Sequence, residues 1–289
     1  SVAVSFPKTA PDMGLARHLC NMSSTDGHRP GLIAKIERAE AIPELENILK
    51  ASDGIMVARG DLAVEVGNAA VPGLQKRMIK LAREYDKVAI TATQMMESMI
   101  LAPVPTRAEV SDVANAVLDG TDAVMLSAET AAGRFPLETV KEMANICRVA
   151  EQASHLDLDA SFAGKIFDRI DQSIAMGALF TAYHLGAKAI VALTESGSTA
   201  LWMSRQNVGI PIYALTSQKS SQRKMALYRN VRPLMLEATS TDRDTALQMA
   251  EARLKSKGAL SSGDLYAITC GEPMGAPGGT NMLKICRAA

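Results

Sequence analysis

The sequence predicts an α/β protein made of two consecutive domains, each built on a mainly parallel sheet. Three observations carry this. Short apolar runs alternate with amphipathic stretches through residues 1–150, the rhythm is lost over 151–168, and it resumes with different punctuation from 169 to the end. Strands alternating with helical patterns are the mark of βα units. A length of 289 residues suits two domains, at about 100–200 residues each. Hydrophobic content of 47% against 21% charged supplies a sizeable core and argues against disorder.

In the first domain the strand candidates are 2–6 (VAVSF), 31–36 (GLIAKI), 54–58 (GIMVA), 88–93 (VAITAT) and 122–127 (DAVMLS). Helical stripes lie between and after them: Ile42, Leu45, Ile48 and Leu49; Val110, Val113, Val117 and Leu118; Val140, Met143, Ile146 and Cys147. Spacings of three and four put each set on one helix face. Thr106 and Glu109 form a T-x-x-E capping box in front of the second stripe, which stops at Gly120. Five units over this stretch give about 30 residues each, as in a (β/α)8 barrel, where about 250 residues supply eight units. The expected fold is therefore a partial (β/α)8 TIM barrel, about five of its eight units, followed by a smaller α/β domain. An open doubly wound sheet has the same spacing and is the competing architecture. The second domain offers strand candidates at 188–194, 210–215, 232–237, 264–270 and 282–286. The expected divisions are 1–150, a linker at 151–168, and 169–289.

Composition removes several classes of function. Lys+Arg and Asp+Glu both number 31, so nothing favours nucleic acid or an anionic membrane surface. No apolar stretch approaches the about 18–20 residues of a membrane-spanning helix, and no signal-peptide core is seen. Cys20, Cys147, Cys270 and Cys286 are scattered without a CxxC pair. That fits buried thiols in a reducing cytoplasm better than a disulfide framework or a zinc site. The chain opens without Met on the alternating run SVAVSF, and is expected to be a piece of something longer.

Polar residues gather where the strands of the first domain end. Lys35 and Glu37 are two apart and share a strand face, Asp61 follows GIMVA in the segment Ala58-Arg59-Gly60-Asp61, Thr91 and Thr93 are two apart, and so are Ser127 and Glu129. The carboxyl ends of parallel strands are where barrels and open α/β sheets bind ligands. Two carboxylates, Glu37 and Asp61, with hydroxyls nearby suit a hard divalent cation such as Mg²⁺. Lys35 adds a point charge able to balance a phosphoryl oxygen. Gly60 lets backbone N–H groups approach an anion closely. Metal, cation and amides together are the parts of phosphoryl transfer. Singly, each has a plainer reading: Lys35–Glu37 as a barrel ion pair, Thr91 and Thr93 as strand residues, and "RGD" as a chance match. The coincidence of four strand ends carries the weight.

Four segments in this order, IAKIERAEAI, IMVARGDLAVEVG, ITATQMMESMI and PTRAEVSDVANAVLDGTDAVMLSAET, resemble the pyruvate kinase family, and the likeness continues to the C-terminus. AETAAG, residues 128–133, is similar to the proteobacterial form. The resemblance implies phosphoryl transfer from phosphoenolpyruvate to ADP, giving ATP and, after the enolate is protonated, pyruvate. It implies Lys35 as the lysine neutralising the moving phosphoryl group, and Glu37 and Asp61 as ligands of Mg²⁺ or Mn²⁺. The backbone of Ala58, Arg59, Gly60 and Asp61 would hold the substrate carboxylate and metal. Thr93 would stand beside the reacting carbon, and Ser127 and Glu129 in the proton-delivery network. In the second domain it implies an effector phosphate, from a sugar phosphate or nucleotide, on Thr194, Ser196, Gly197, Ser198 and Thr199. Residues 271–282 resemble the family's glycine-rich effector loop. Many relatives carry Arg where this chain has Ser198. The match begins at what would be the fourth barrel strand, so the lid domain, the nucleotide-binding residues and most of the K⁺ site are expected outside this chain. The polypeptide by itself is expected to lack substantial turnover. A cytoplasmic homotetramer is implied for the complete enzyme, with neither nucleic acid nor membrane as partner. The alternatives are a non-catalytic sugar-phosphate binding remnant and a Mg²⁺-dependent lyase barrel acting on pyruvate or phosphoenolpyruvate.

Overall fold

Val2–Val4 (β1), Leu32–Ile36 (β2), Gly54–Ala58 (β3), Val88–Ala92 (β4) and Ala123–Met125 (β5) pair in sequence order as one parallel sheet. They belong to a computed structural model that describes residues 1–24, 29–153, 166–237, 242–275 and 278–289. Its two units are Ser1–Ser154 and His155–Ala289. Between the strands of the first unit run α1 (Ala10–Met22), α2 (Leu45–Ala51), α3 (Arg59–Val66), α4 (Val71–Glu84) and α5 (Arg107–Leu118). After β5 come the one-turn α6 (Ala128–Ala131) and α7 (Pro136–Ala153).

The helices cover one face of this sheet. Leu32, Ala34 and Ile36 of β2, Ile55 and Val57 of β3, and Ala89 of β4 share a core with Met13, Leu45, Ile48, Leu49, Met78 and Ile79 from α1, α2 and α4. A second core joins Val124 and Leu126 to α5 and α7 through Val113, Ala116, Met143 and Ile146. Side chains alternate faces along a strand, so Ile33, Lys35, Met56, Val88 and Ile90 lie on the face away from the helices. Monotonic strand order with one helix-covered face is barrel winding. A doubly wound sheet would reverse its order and cover both faces. Gly54 is needed at its position, since a Cβ there would lie 2.7 Å from the Val88 carbonyl oxygen and 2.9 Å from Ile33 Cδ1.

Several element ends differ from expectation for identifiable reasons. β1 stops at Val4 because Phe6 takes φ +56°, and β4 stops at Ala92 because Thr93 takes φ +68°. Leu118 and Val140 are about half exposed, whereas Ala116 is buried beside Val113 and Val117 on the α5 face that meets the core. The Thr106–Glu109 box is formed, with the Thr106 hydroxyl accepting from Glu109 N and Glu109 accepting from Thr106 N. Of the four cysteines only Cys270 is fully buried. Of the expected linker, 151–153 are the last turn of α7, and 154–165 lie outside the described residues. Among the described residues no helix is long and apolar enough to cross a membrane.

The second unit contains α8 (Ile170–His184), β6 (Ala189–Leu193), α9 (Ser198–Ser204), β7 (Ile212–Thr216), α10 (Lys219–Met225), β8 (Val231–Met235), α11 (Arg243–Ser256), β9 (Leu265–Gly271) and β10 (Thr280–Arg287). Its sheet runs β10-β9-β6-β7-β8. The last strand is antiparallel to β9, so it closes a hairpin instead of adding another βα unit. Pro233 sits on β8, an edge strand, where its missing N–H breaks no ladder.

Candidate functional site

Because the first sheet is parallel, the C-terminal ends of its strands share one edge, and hydrogen bonds or ion pairs join them in sequence. After β1, Phe6 N donates to Glu37 Oε2 at 2.8 Å, and Lys35 Nζ donates to Ser5 Oγ at 3.1 Å. Beyond β2, Arg38 pairs with Glu65 of α3 at 3.6 Å. At the start of α3, Gly60 N donates to Thr93 Oγ1 at 2.9 Å. Beyond β4, Met96 N donates to Glu129 Oε1 at 3.1 Å. The five strand ends form one connected rim.

Lys35 and Glu37 are its charged centre. Glu37 is fully buried, with Oε1 2.6 Å from Lys35 Nζ. The ammonium is the charge that compensates this buried oxygen, which has no hydrogen-bond donor besides it. β2 and β3 pair as far as Ile36 with Val57, so Glu37 and Ala58 are the next residues along. Asp61 follows in the first exposed turn of α3. Mg²⁺ takes one or two carboxylates and fills the rest of its octahedron with substrate oxygens and water. Glu37 and Asp61 fit that pattern. Among the described residues no group of three or more His, Cys, Asp or Glu is placed to hold a metal ion by itself.

Arg59 does not present its side chain to the rim. Arg59 is buried, and its guanidinium turns away from solvent. Nε donates to the Ala92 carbonyl at 3.2 Å, Nη2 to the Thr93 carbonyl at 2.7 Å, and Nη1 to Asp112 Oδ1 at 2.7 Å. The Gly60 amide, expected to face an anion, is already given to Thr93.

The threonines separate. Thr91 lies on the helix-covered face, fully buried, and its hydroxyl donates to Thr121 Oγ1 at 3.0 Å. It is a core residue, because β4 places position 91 in register with Val57 and Val124. Thr93 does not continue the alternation, since both Thr93 (φ +68°) and Gln94 (φ +52°) are left-handed. A β-branched residue there is strained by about 1–3 kcal/mol. Its hydroxyl donates to the Ala92 carbonyl at 2.6 Å while accepting from Gly60.

Ser127 and Glu129 do not share a strand face either, because β5 ends at Met125 and Ser127 begins α6. Glu129 is buried and spends its two oxygens on the backbone N–H groups of Met96 and Ser127. It ties the end of β5 to the loop after β4. Ser127 is exposed. Glu109, beyond its capping role, accepts from Ser98 N at 2.7 Å and Ser98 Oγ at 2.5 Å, pinning the same loop. Burial pushes its carboxyl up, but the Ser98 and Thr106 hydrogen bonds outweigh this and hold it below the ordinary value of 4.5.

The second unit has a cavity of about 360 Å³ at the C-terminal ends of β6, β7, β8 and β9. Thr194 and Thr199 of the expected phosphate group line it, together with Thr216, Ser217 and Thr280; Ser196, Gly197 and Ser198 do not. Their polar atoms are turned on one another: Gly197 N donates to Thr194 Oγ1 at 3.0 Å and Ser196 Oγ to Ser198 Oγ at 3.1 Å. Thr199 and Thr280 hydroxyls meet at 2.8 Å. Glu195 and Glu237 also line the cavity, and among the described residues no Lys or Arg does. Sequence reasoning missed both acids, because residues after four different strands meet there. Of the glycine-rich loop, 276–277 lie outside the described residues.

Comparison with known proteins matches residues 1–140 to the family model "Pyruvate kinase, barrel domain" and residues 172–286 to "Pyruvate kinase, alpha/beta domain". A pyruvate kinase from Buchnera aphidicola subsp. Schizaphis graminum is 49% identical over 99% of this chain and 60% of its own length. Pyruvate kinase II of Salmonella typhimurium is 47% identical over 98% of this chain and 59% of its own. One from Sporosarcina psychrophila is 39% identical over 98% and 48% respectively. The chain thus spans about 60% of the length of the first two relatives.

Proposed function

The chain belongs to the pyruvate kinase family, and we propose that it supplies the phosphoryl-transfer and effector portions of an enzyme that makes pyruvate and ATP from phosphoenolpyruvate and ADP. The observation that carries this is the buried Glu37 carboxylate ion-paired with Lys35 at a strand end. Membership of the family across both units sets the lyase alternative aside. Lys35 would balance the charge of the transferring phosphoryl group, and its ammonium is already oriented by Ser5 and Glu37. Glu37 and Asp61 would hold Mg²⁺ or Mn²⁺, which when bound neutralises phosphoryl oxygens. The backbone of Ala58, Arg59 and Gly60 would flank the substrate. The Thr93 hydroxyl would stand where the enolate carbon is protonated. For Ser127 we retain a place beside that hydroxyl, and for Glu129 the support of the loop.

We propose the cavity of the second unit as an effector site. Carboxylates accept well from sugar hydroxyls, so Glu195 and Glu237 suit the sugar of a sugar phosphate or nucleotide. Its phosphate would rest on the turn of Thr194, Ser196, Gly197, Ser198 and Thr199. The divisions 1–150, 151–168 and 169–289 would then be catalytic part, linker and effector domain. A K⁺ requirement, a cytoplasmic location and a homotetramer rest on the family alone.

The deciding experiment is a coupled assay of the full-length enzyme with phosphoenolpyruvate, ADP and Mg²⁺. Lys35→Met is expected to lower kcat by about a thousandfold or more, and a variant within tenfold of the parent would overturn the assignment. A polypeptide of residues 1–289 by itself is expected to show no substantial turnover. Among the described residues β1 and β5 each have one unpaired edge, and such edges favour association over an ordered site.

A further inference from the structure

We infer that Arg59 is a positioning residue for Thr93, acting through the backbone and not through substrate. This rests on the proposed role of the Thr93 hydroxyl. Five acceptors surround the Arg59 guanidinium: the carbonyls of Ala92 and Thr93, Asp112 Oδ1 at 2.7 Å, Gln75 Oε1 at 3.4 Å and Met95 Sδ at 2.8 Å. Two of the five are the peptide oxygens on either side of the point where β4 ends and the chain turns left-handed. The planar fork takes both at once, which a lysine ammonium on a single stem cannot reproduce. The neighbouring residue completes the grip, because Gly60 N donates to the Thr93 hydroxyl. The first two residues of α3 therefore hold Thr93 by its carbonyl and by its side chain. Nothing in the local sequence favours φ +68° at a threonine, so the conformation must be imposed from outside the loop.

Asp112 supplies the counter-charge. It reaches the buried guanidinium from α5 and is the carboxylate paired with it. Gln75 of α4 accepts from Arg59 and donates to Asp119 Oδ2 at 3.0 Å, so both covering helices hold the clamp in place. Loss of the Arg59 fork would let Thr93 relax toward extended backbone and withdraw its hydroxyl from the rim. A displacement of about 1 Å at a reacting position is enough to cost about a hundredfold in rate.

The test is hydrogen–deuterium exchange of the pyruvate methyl group by the full-length enzyme, with parent, Arg59→Lys, Thr93→Val and the double variant. Each single variant is expected to lose about a hundredfold in exchange rate, with KM for pyruvate within threefold of the parent. The double variant is expected to be no slower than the worse single, as when one residue acts through the other. Losses that multiply in the double variant would overturn the inference and leave the role of Thr93 standing. A Thr93→Val enzyme with the parent rate would sink both. If Arg59→Lys does not fold, Asp112→Asn, which keeps the side-chain shape and removes the counter-charge, serves in the same cycle with the same outcomes.

Discussion

Lys35 Nζ and Glu37 Oε1 stand 2.6 Å apart, the carboxylate fully buried and the ammonium about a quarter exposed. The partners are therefore unequal. Lys35→Met leaves a buried charge without compensation, at a cost of about 3 kcal/mol of stability. Glu37→Gln leaves an ammonium that water can reach, at about 1 kcal/mol. Urea unfolding of the two variants measures the difference. Mg²⁺ should then restore Lys35→Met more than it stabilises the parent, because a ligand that binds only the folded state shifts the equilibrium by mass action. Equal Mg²⁺ effects on both would argue against a cation at Glu37.

Glu109 gives the first unit an acid-labile joint. Its folded carboxyl lies below the ordinary 4.5, so its contribution is complete above that value. It is lost as pH falls below 4.5 through the folded-state value. Thermal unfolding between pH 7 and pH 3 should show Glu109→Gln losing less stability than the parent over the acid end. Parallel curves would mean that the Ser98 and Thr106 contacts contribute little.

Thr91 and Thr93, two residues apart, should behave oppositely. Thr91→Val removes one buried hydroxyl bond to Thr121, costing about 1 kcal/mol of stability with turnover within threefold of the parent. Thr93→Val should leave the melting temperature nearly unchanged and abolish most turnover. Finding the larger kinetic loss at Thr91 would reverse the assignment of the two positions.

In the second unit Glu195 accepts from Ser217 Oγ at 3.0 Å while facing the cavity. Its carboxylate is the proposed acceptor for the sugar hydroxyls of an effector. Glu195→Gln should therefore lower the affinity for a sugar phosphate by about tenfold, the equivalent of about 1.4 kcal/mol. Calorimetric titration reads this directly. An unchanged affinity would place the sugar away from Glu195.

Much of the fold was legible because it is set by local chemistry. GIMVA reads as a strand with both faces buried, and β3 has those bounds. Thr106 and Glu109 announce the start of α5, and the Ile42–Leu49 stripe finds its core. The chemistry of the rim was legible only as a set of residue types. That Arg59 turns inward, that Glu129 spends itself on two amides, and that Thr91 faces the helices follow from contacts between residues about 30 positions apart. No local pattern encodes them. The left-handed turns at Phe6, Thr93 and Gln94 were invisible for the same reason, since none is a residue that chooses that conformation unaided. The acids of the cavity come from turns after β6 and β8, which only the strand order brings together.

The left-handed backbone at Thr93 sets durability against the proposed chemistry at a single position. Glycine there would relax the backbone at no steric cost, and a screen for heat resistance would select it. The same change would remove the hydroxyl proposed to stand beside the reacting carbon. A thermostable descendant gained at this corner is therefore expected to be a slower enzyme, a trade made in one residue and not spread across the domain.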